Sequence, residues 1–488
     1  STLTSAPATV TITVSGRVKY VNGAAATNGT GVSSSPFNTL AGVTGASGDV
    51  VFVQSGGSPT TTPGAISLGA GVTLWGQGTS LPQVSGMTIA NTAATSKPKL
   101  TGAVTLAGNN ITVSSLDIDT SATSGTTALT NTGTITGALL QNNVTAKSAG
   151  AAAVNLSNAS GNFTLLSVSA SSLGTGSGIV LNTLGGTGFT ITGDGSTAGS
   201  GGTISGACSG NPTGCGAVTP NNAGTVSLNF MSLSGPTGSG VYATNTALTV
   251  ANSSLSNFAV VGVFMQTSGA TVGSFNIHDN TLNGTNGDAI QLQHNSSGTW
   301  TGHIKTNAIG TLANAKSGST GGDGIGIDVF GTGKGIVDVS SNTVVQIGVG
   351  KGISATASSA GATLQVSLLN NKVNMQQISS QDGMTVGSAG TVCLNATGNT
   401  SAAAGTAAGT SLYDMTGLSV LQNTTSSVFQ IQGYGGSATN DTAVQTYLAT
   451  NPGAPNNVLS GPAGPAIADH TSQGNTNGFG TATCSTAP

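Results

Sequence analysis

Thirteen acidic residues, all aspartate, and a single arginine, Arg17, limit the chemistry open to this 488-residue chain. Spacing singles out four positions. Asp288, Asp323, Lys351 and Asp382 each precede a Gly or Ala that opens an aliphatic run, in GDAI, GDGI, GKGI and QDGM. If those runs stack in register, the four side chains form one column, each about 5 Å from the next. Neighbouring carboxylates in such a column could share a proton or hold a hard cation such as calcium. Asp288, Asp323 and Asp382 are therefore the candidate metal ligands. Lys351, together with His303 and Asp328 in the same third of the chain, are the candidate binding residues. The plainer expectation is a solvated turn column in which Lys351 relieves repulsion between acids. No residue is assigned a catalytic role, and no cofactor beyond that calcium is implied. His278 and His294 are expected to be exposed rather than ligands. Asp117 and Asp119 alternate on one face of SLDID and are expected to be exposed strand acids.

The elements that must position these residues are short and repeated. One pattern is an apolar residue, one or two small residues, Asn, a small residue and an aliphatic. It occurs at Asn252, Asn280, Asn307, Asn342, Asn371 and Asn399, at intervals of 28, 27, 35, 29 and 28 residues, with Asn143 as an earlier copy. The second pattern, at Gly178, Gly240, Gly262, Ala289, Gly324, Gly352 and Gly383, keeps phase with it. Two patterns in phase at a period near 28 describe the coils of a solenoid. The fold class expected is all-β: a single right-handed parallel β-helix with short capping helices and an N-terminal strand-like arm. Val, Ile and Leu face inward; Asn suits a turn column because its amide can bond to the Asn above and below.

Composition agrees. Charged residues make up 5% of the chain and glycine numbers 77, against about 25% charged in ordinary globular chains. Glu, Lys and Arg, the builders of solvated helix faces, are scarce. No basic patch with interleaved aromatics exists, which argues against nucleic acid. The longest apolar run, Ala259 to Met265, is too short to span a bilayer. The four cysteines allow three pairings; the local pair Cys208–Cys215 is the plainest, and Cys393–Cys484 would then pin the tail to the body. An even count in so polar a chain points to an oxidising, extracellular compartment.

The expected organisation is an arm over 1–30, an N-terminal cap over 31–64, coils over 65–430, and a C-terminal cap and tail over 431–488. The coils would number roughly 13 and make a rod of about 60 Å. The N-terminal cap reads as a short helix from Pro36 to Val43 and a strand from Asp49 to Gln54. The C-terminal cap reads as a helix opened by Asn440 or Asp441 and stopped by Asn451-Pro452-Gly453. In the arm, Val10, Ile12 and Val14 would add as a strand to a neighbouring subunit.

Several stretches resemble a known family. Arg17–Val21, Ser35–Leu40, Gly48–Val53 and Ile66–Gly78 are similar to the opening of bacterial secreted β-helix repeat proteins of the pectate-lyase-like superfamily. Cys393-Leu394-Asn395, the DTAVQTYL segment and Gly478-Phe479-Gly480 before Cys484 are similar to their ending. The resemblance implies a surface or matrix component. Enzymes of this fold that resemble pectate lyases use clustered acids with calcium and an arginine, whereas Arg17 lies before the first coil. Those that resemble polygalacturonases use clustered aspartates, Gly-His-Gly and Arg-Ile-Lys; here Gly302-His303-Ile304-Lys305 stands alone. The function expected is therefore a secreted structural protein that self-assembles into a surface fibre or matrix, its main partner being itself. The rivals are a monomeric adhesin binding glycans and a lyase or hydrolase acting on extracellular polysaccharide.

Overall fold

The computed structural model describes residues 17–55, 61–78, 83–84, 87–88, 96–209, 214–235, 237–269, 273–375, 383–403, 413–417, 428–435, 446–448, 458–460 and 479–488. Its strands form a parallel β-solenoid. A typical coil places Ile290–Ser296 on a first face, Thr299–Lys305 on a second and Ala308–Ile309 on a third. The next coil repeats this with Ile325–Val329, Lys334–Ser340 and Thr343–Val345, paired in parallel and in register. The first two faces merge into one 25-stranded sheet and the third is a 14-stranded sheet. They merge because long strands such as Gly216–Asn229 run round the corner between them. A right-handed wind is the sense that parallel crossovers adopt.

Alternation decides which side chains go inside. In Lys334–Ser340, Gly335, Val337 and Val339 are buried while their neighbours are half-exposed. Stacking turns such positions into continuous inward columns: Leu74, Val113, Leu140, Phe163, Phe189, Val226, Leu248 and Phe275 succeed one another on the second face. Gly302 follows Phe275 because a Cβ there would lie 2.3 Å from the Phe275 carbonyl oxygen and 2.6 Å from its ring. The gap is filled by Trp300, which is 0% exposed and lies 4.5 Å from the Phe275 ring.

The stack is longer than the spacing implied. Val18–Val21 already pairs in parallel with Val50–Val53, so the sheet begins inside the 1–30 segment. It ends with Phe479–Ala482 on Val428–Gln432. The register is also resolved before residue 225, where the repeats blur: Val154, Ile179, Val218 and Val241 share one column.

Both repeated patterns are structural columns. The second marks the corner before the first face, where coils approach closely. A Cβ at Gly324 would meet the Gly352 carbonyl oxygen at 2.5 Å, and one at Gly352 would meet that of Gly383 at 2.4 Å. The first pattern is a buried amide ladder. In Asn280, Asn307, Asn342 and Asn371, the backbone N–H and the Nδ2 both donate to the Oδ1 of the Asn one coil on, at 3.0–3.2 Å. Nδ2 also donates to a backbone carbonyl, as from Asn342 to Ile304 at 2.8 Å. Two expected members are not in it. Ser253, not Asn252, precedes Asn280 in the ladder, its N–H donating to the Asn280 Oδ1. Asn252 holds the left-handed position just before it (φ 52°). Asn143 is exposed and also left-handed.

The helix expected over Pro36–Val43 does not form. Phe37 is bridged to Val21 as extended chain, its N–H donating to the Tyr20 carbonyl, and Tyr20 donates to the Gly31 carbonyl. The segment covers the open edge of Val18–Val21, and satisfying that edge outweighs a local helical preference. The strand expected from Asp49 is present as Val50–Val53. Of the C-terminal helix, the helical turn Thr446–Leu448 is described; Asn440, Asp441, Asn451, Pro452 and Gly453 lie outside the described residues, as do Val10, Ile12 and Val14.

Both disulfides form as the spacing suggested, Cys208–Cys215 and Cys393–Cys484. Beyond Cys484 the chain turns along the rod axis and crosses the second face. Cys484 N–H donates to Gln432 Oε1 at 3.3 Å, Ser485 N–H to Gln365 Oε1 at 2.6 Å and Ala487 N–H to Asp338 Oδ1 at 3.4 Å. The Pro488 carbonyl oxygen lies 2.9 Å from His303 Nε2. His303, Asp338 and Gln365 belong to three successive coils, and Gln432 lies two coils beyond Gln365, past the coil of Cys393.

Candidate functional site

The corner column exists. Ile290, Ile325 and Ile353 stack, which puts Asp288, Asp323 and Lys351 on consecutive coils. Asp382 lies outside the described residues. Each acid accepts the backbone N–H one coil on: Asp288 Oδ1 from Asp323 at 2.7 Å, and Asp323 Oδ1 from Lys351 at 2.7 Å. Each carboxylate also leans over the second strand position of that next coil. A Cβ at Gly326 would come within 2.7 Å of Asp288 Oδ2, and Asp323 hydrogen-bonds Ser354 in the equivalent place.

The column is therefore not the fully solvated turn expected: Asp288, Asp323 and Lys351 are each half-buried. Burial, reinforced by the Asp323 carboxylate, pushes Asp288 up to about 7. Burial likewise raises Asp323, and it raises Asp328, where the Asp323 charge adds to it. Asp328 is thus electrostatically part of the group, and it accepts from Ser358 Oγ at 3.1 Å. At neutral pH such a set can hold a proton on Asp288 and pass it to a base. Among the described residues, no three His, Cys, Asp or Glu side chains are grouped so as to hold a metal ion.

His303 does not join this group. It sits on the second face beside Asp338, with Nδ1 3.5 Å from Asp338 Oδ2, under the C-terminal segment. Sequence reasoning missed Asp338 and Ser367, which follow His303 in register. The signal was present: each stands four residues before a ladder Asn, as His303 does before Asn307. The column is not a nucleophilic triad. The aspartate lies between the other two, so the serine stands two coils, about 10 Å, from the imidazole.

His294, expected to be exposed, is 0% exposed. Its ring stacks on Trp300 at 5.4 Å, Nδ1 lies 2.6 Å from Thr267 Oγ1 and Nε2 lies 2.9 Å from the Gly298 carbonyl oxygen. Burial holds its pKa below the ordinary value. A histidine that satisfies both ring nitrogens locally can serve as a flat apolar side chain, which periodicity alone cannot reveal. His278 is half-exposed and pairs with Asp279 at 2.7 Å. Asp117 and Asp119 are ion-paired: Lys97 lies 2.5 Å from Asp117, and Lys99 lies 2.7 Å from Asp119. Burial works against the charge on Asp119, but hydrogen bonds from Lys99 and Ser121 outweigh it and bring it down to about 2.

Fold and site together define a parallel β-solenoid with a half-buried acidic corner column. Comparison with protein-family models, with curated proteins and with solved structures finds no match for the chain.

Proposed function

We propose that this chain is a structural subunit of an extracellular fibre or matrix, assembled from copies of itself. The observation that carries the reading is the continuous stack from Val18 to Ala482, whose repeated residues serve the interior: core columns, close corners and a buried amide ladder. A nearly uncharged surface, with 5% charged residues in the chain, suits close lateral or end-to-end contact between copies. The two disulfides fit an oxidising extracellular setting. Because Gly31 and Phe37 fill the edge of Val18–Val21 at Tyr20, the arm bearing Val10, Ile12 and Val14 would add at the opposite end of a neighbouring rod. Electron microscopy with light scattering tests this. Regular filaments that disappear when residues 1–16 are deleted are the expected result. Single rods of one chain's mass, in the full-length protein, would sink it.

A second reading, action on an acidic polysaccharide, is favoured by one observation. Asp288 at about 7 has the protonation a general acid needs at neutral pH. It predicts cleavage of pectin or alginate that is lost in Asp288→Asn. Absence of product with the unmodified protein would dispose of it.

A further inference from the structure

The C-terminal segment is bound in an unusual way. Cys484 to Pro488 crosses the second face along the rod axis, yet its main chain is held by side chains: Gln432, Gln365, Asp338 and His303. Besides the main-chain link to Phe479–Ala482, its covalent anchor is the bond to Cys393, at an outward position on Thr391–Thr397. Ser367 lies within its path, beside Gln365 on the same strand and in register with Asp338. That outward serine is 1% exposed, and its hydroxyl has no hydrogen-bond partner among the described residues.

We propose that Cys484–Pro488 is a disulfide-locked strap, closed over the His303–Asp338–Ser367 column and released when Cys393–Cys484 is reduced. The balance of forces gives the reason. A few hydrogen bonds of ordinary net strength, two of them at 3.3 and 3.4 Å, do not offset the ordering of five residues. With Ala482 already held in its strand, the disulfide tips the balance by fixing Cys484 over Cys393, the register neighbour of Gln365, and so raising the effective concentration of the segment at its partners. The reductant is a dithiol. Its thiolate attacks one sulfur of Cys393–Cys484, the mixed disulfide is resolved by the second thiol, and the products are two cysteine thiols and a cyclic disulfide. The freed column presents imidazole, carboxylate, amide and hydroxyl groups suited to the main chain of an extended peptide.

The test compares Ser367→Cys with all native disulfides intact and the same substitution combined with Cys393→Ser and Cys484→Ser, each treated with a maleimide. Labelling at position 367 should be slow in the first and roughly tenfold or more faster in the second, as expected for local opening. Slow labelling in both would show that the strap holds without its anchor. Fast labelling in both would show that it does not cover the column. Either result overturns the proposal. Hydrogen exchange on the otherwise unmodified protein, with and without dithiol, is the second measurement. The amides of Ser485 and Ala487 should lose protection while those of Thr363–Leu369 keep it. Loss of protection in that strand as well would make the disulfide a staple of the whole end rather than a lock, and the proposal would fall.

Discussion

Asn342→Ala should lower the unfolding free energy by about 3–5 kcal/mol, a size reserved for losses inside the core. Its amide closes both sides of the ladder. Its Oδ1 accepts the N–H and Nδ2 of Asn307, and its own Nδ2 donates to the Ile304 carbonyl and to Asn371 Oδ1. Alanine would leave two donors and one acceptor unpaired where the residue is 0% exposed, and each orphan costs about 1–3 kcal/mol. Asn342→Asp separates hydrogen bonding from volume. The shape is nearly unchanged, but an oxygen replaces the donor and faces two other oxygens, so this variant should be at least as unstable. Urea unfolding of the two variants is the measurement. A loss under about 1 kcal/mol for both would mean that the ladder is incidental to stability.

Asp288→Asn should do the reverse and stabilise the protein at alkaline pH. The Asp288 carboxyl lies at about 7 in the folded chain, against an ordinary value of 3.8. A raised carboxyl pKa favours the folded state most fully below pH 3.8, and that contribution is lost as pH rises through 7. At about 1.4 kcal/mol for each pH unit in that window, the ceiling is about 4 kcal/mol. Residual solvation and sharing of the proton with Asp323 bring a realistic figure to about 1–3 kcal/mol. Asparagine keeps an Oδ1 to accept the Asp323 N–H and carries no charge. The variant should therefore match the unmodified protein near pH 4 and exceed it by that amount at pH 8. His294 acts on the other side. Its lowered pKa removes stability as pH falls below 6.5, and it does so equally in both proteins. A pH-independent difference, or a less stable variant at pH 8, would contradict the assignment of the buried proton to this corner.

What the residues disclosed depended on repetition. Ladder Asn and corner Gly recur because every coil has the same geometric problem, so the solenoid, the disulfides and the succession Asp288, Asp323, Lys351 could be read from spacing. The partial burial of that succession could not, since it follows from how far each carboxylate leans over the next coil. Ser253 for Asn252 shows the same limit. One residue of offset moves a side chain from the ladder to a left-handed bend, and a consensus with neighbouring Asn and Ser does not specify which. Edges and ends were legible only in part, in the strand at Val50–Val53 and the Cys393–Cys484 bond. Phe37 is extended because an edge strand needs partners, and the tail over His303 is a contact between residues 185 apart in sequence.

That tail alters how the rod should come apart. In a solenoid each coil senses only those beside it, so melting resembles a one-dimensional chain that frays inward from its ends. A segment fastened at Cys393 and reaching Gln365, Asp338 and His303 adds an interaction beyond nearest neighbours. While the Cys393–Cys484 bond is intact, losing any one of these coils also costs the segment its contacts, which couples the C-terminal coils beyond nearest neighbours. The opposite end lacks such a tie among the described residues, and there fraying can proceed one coil at a time.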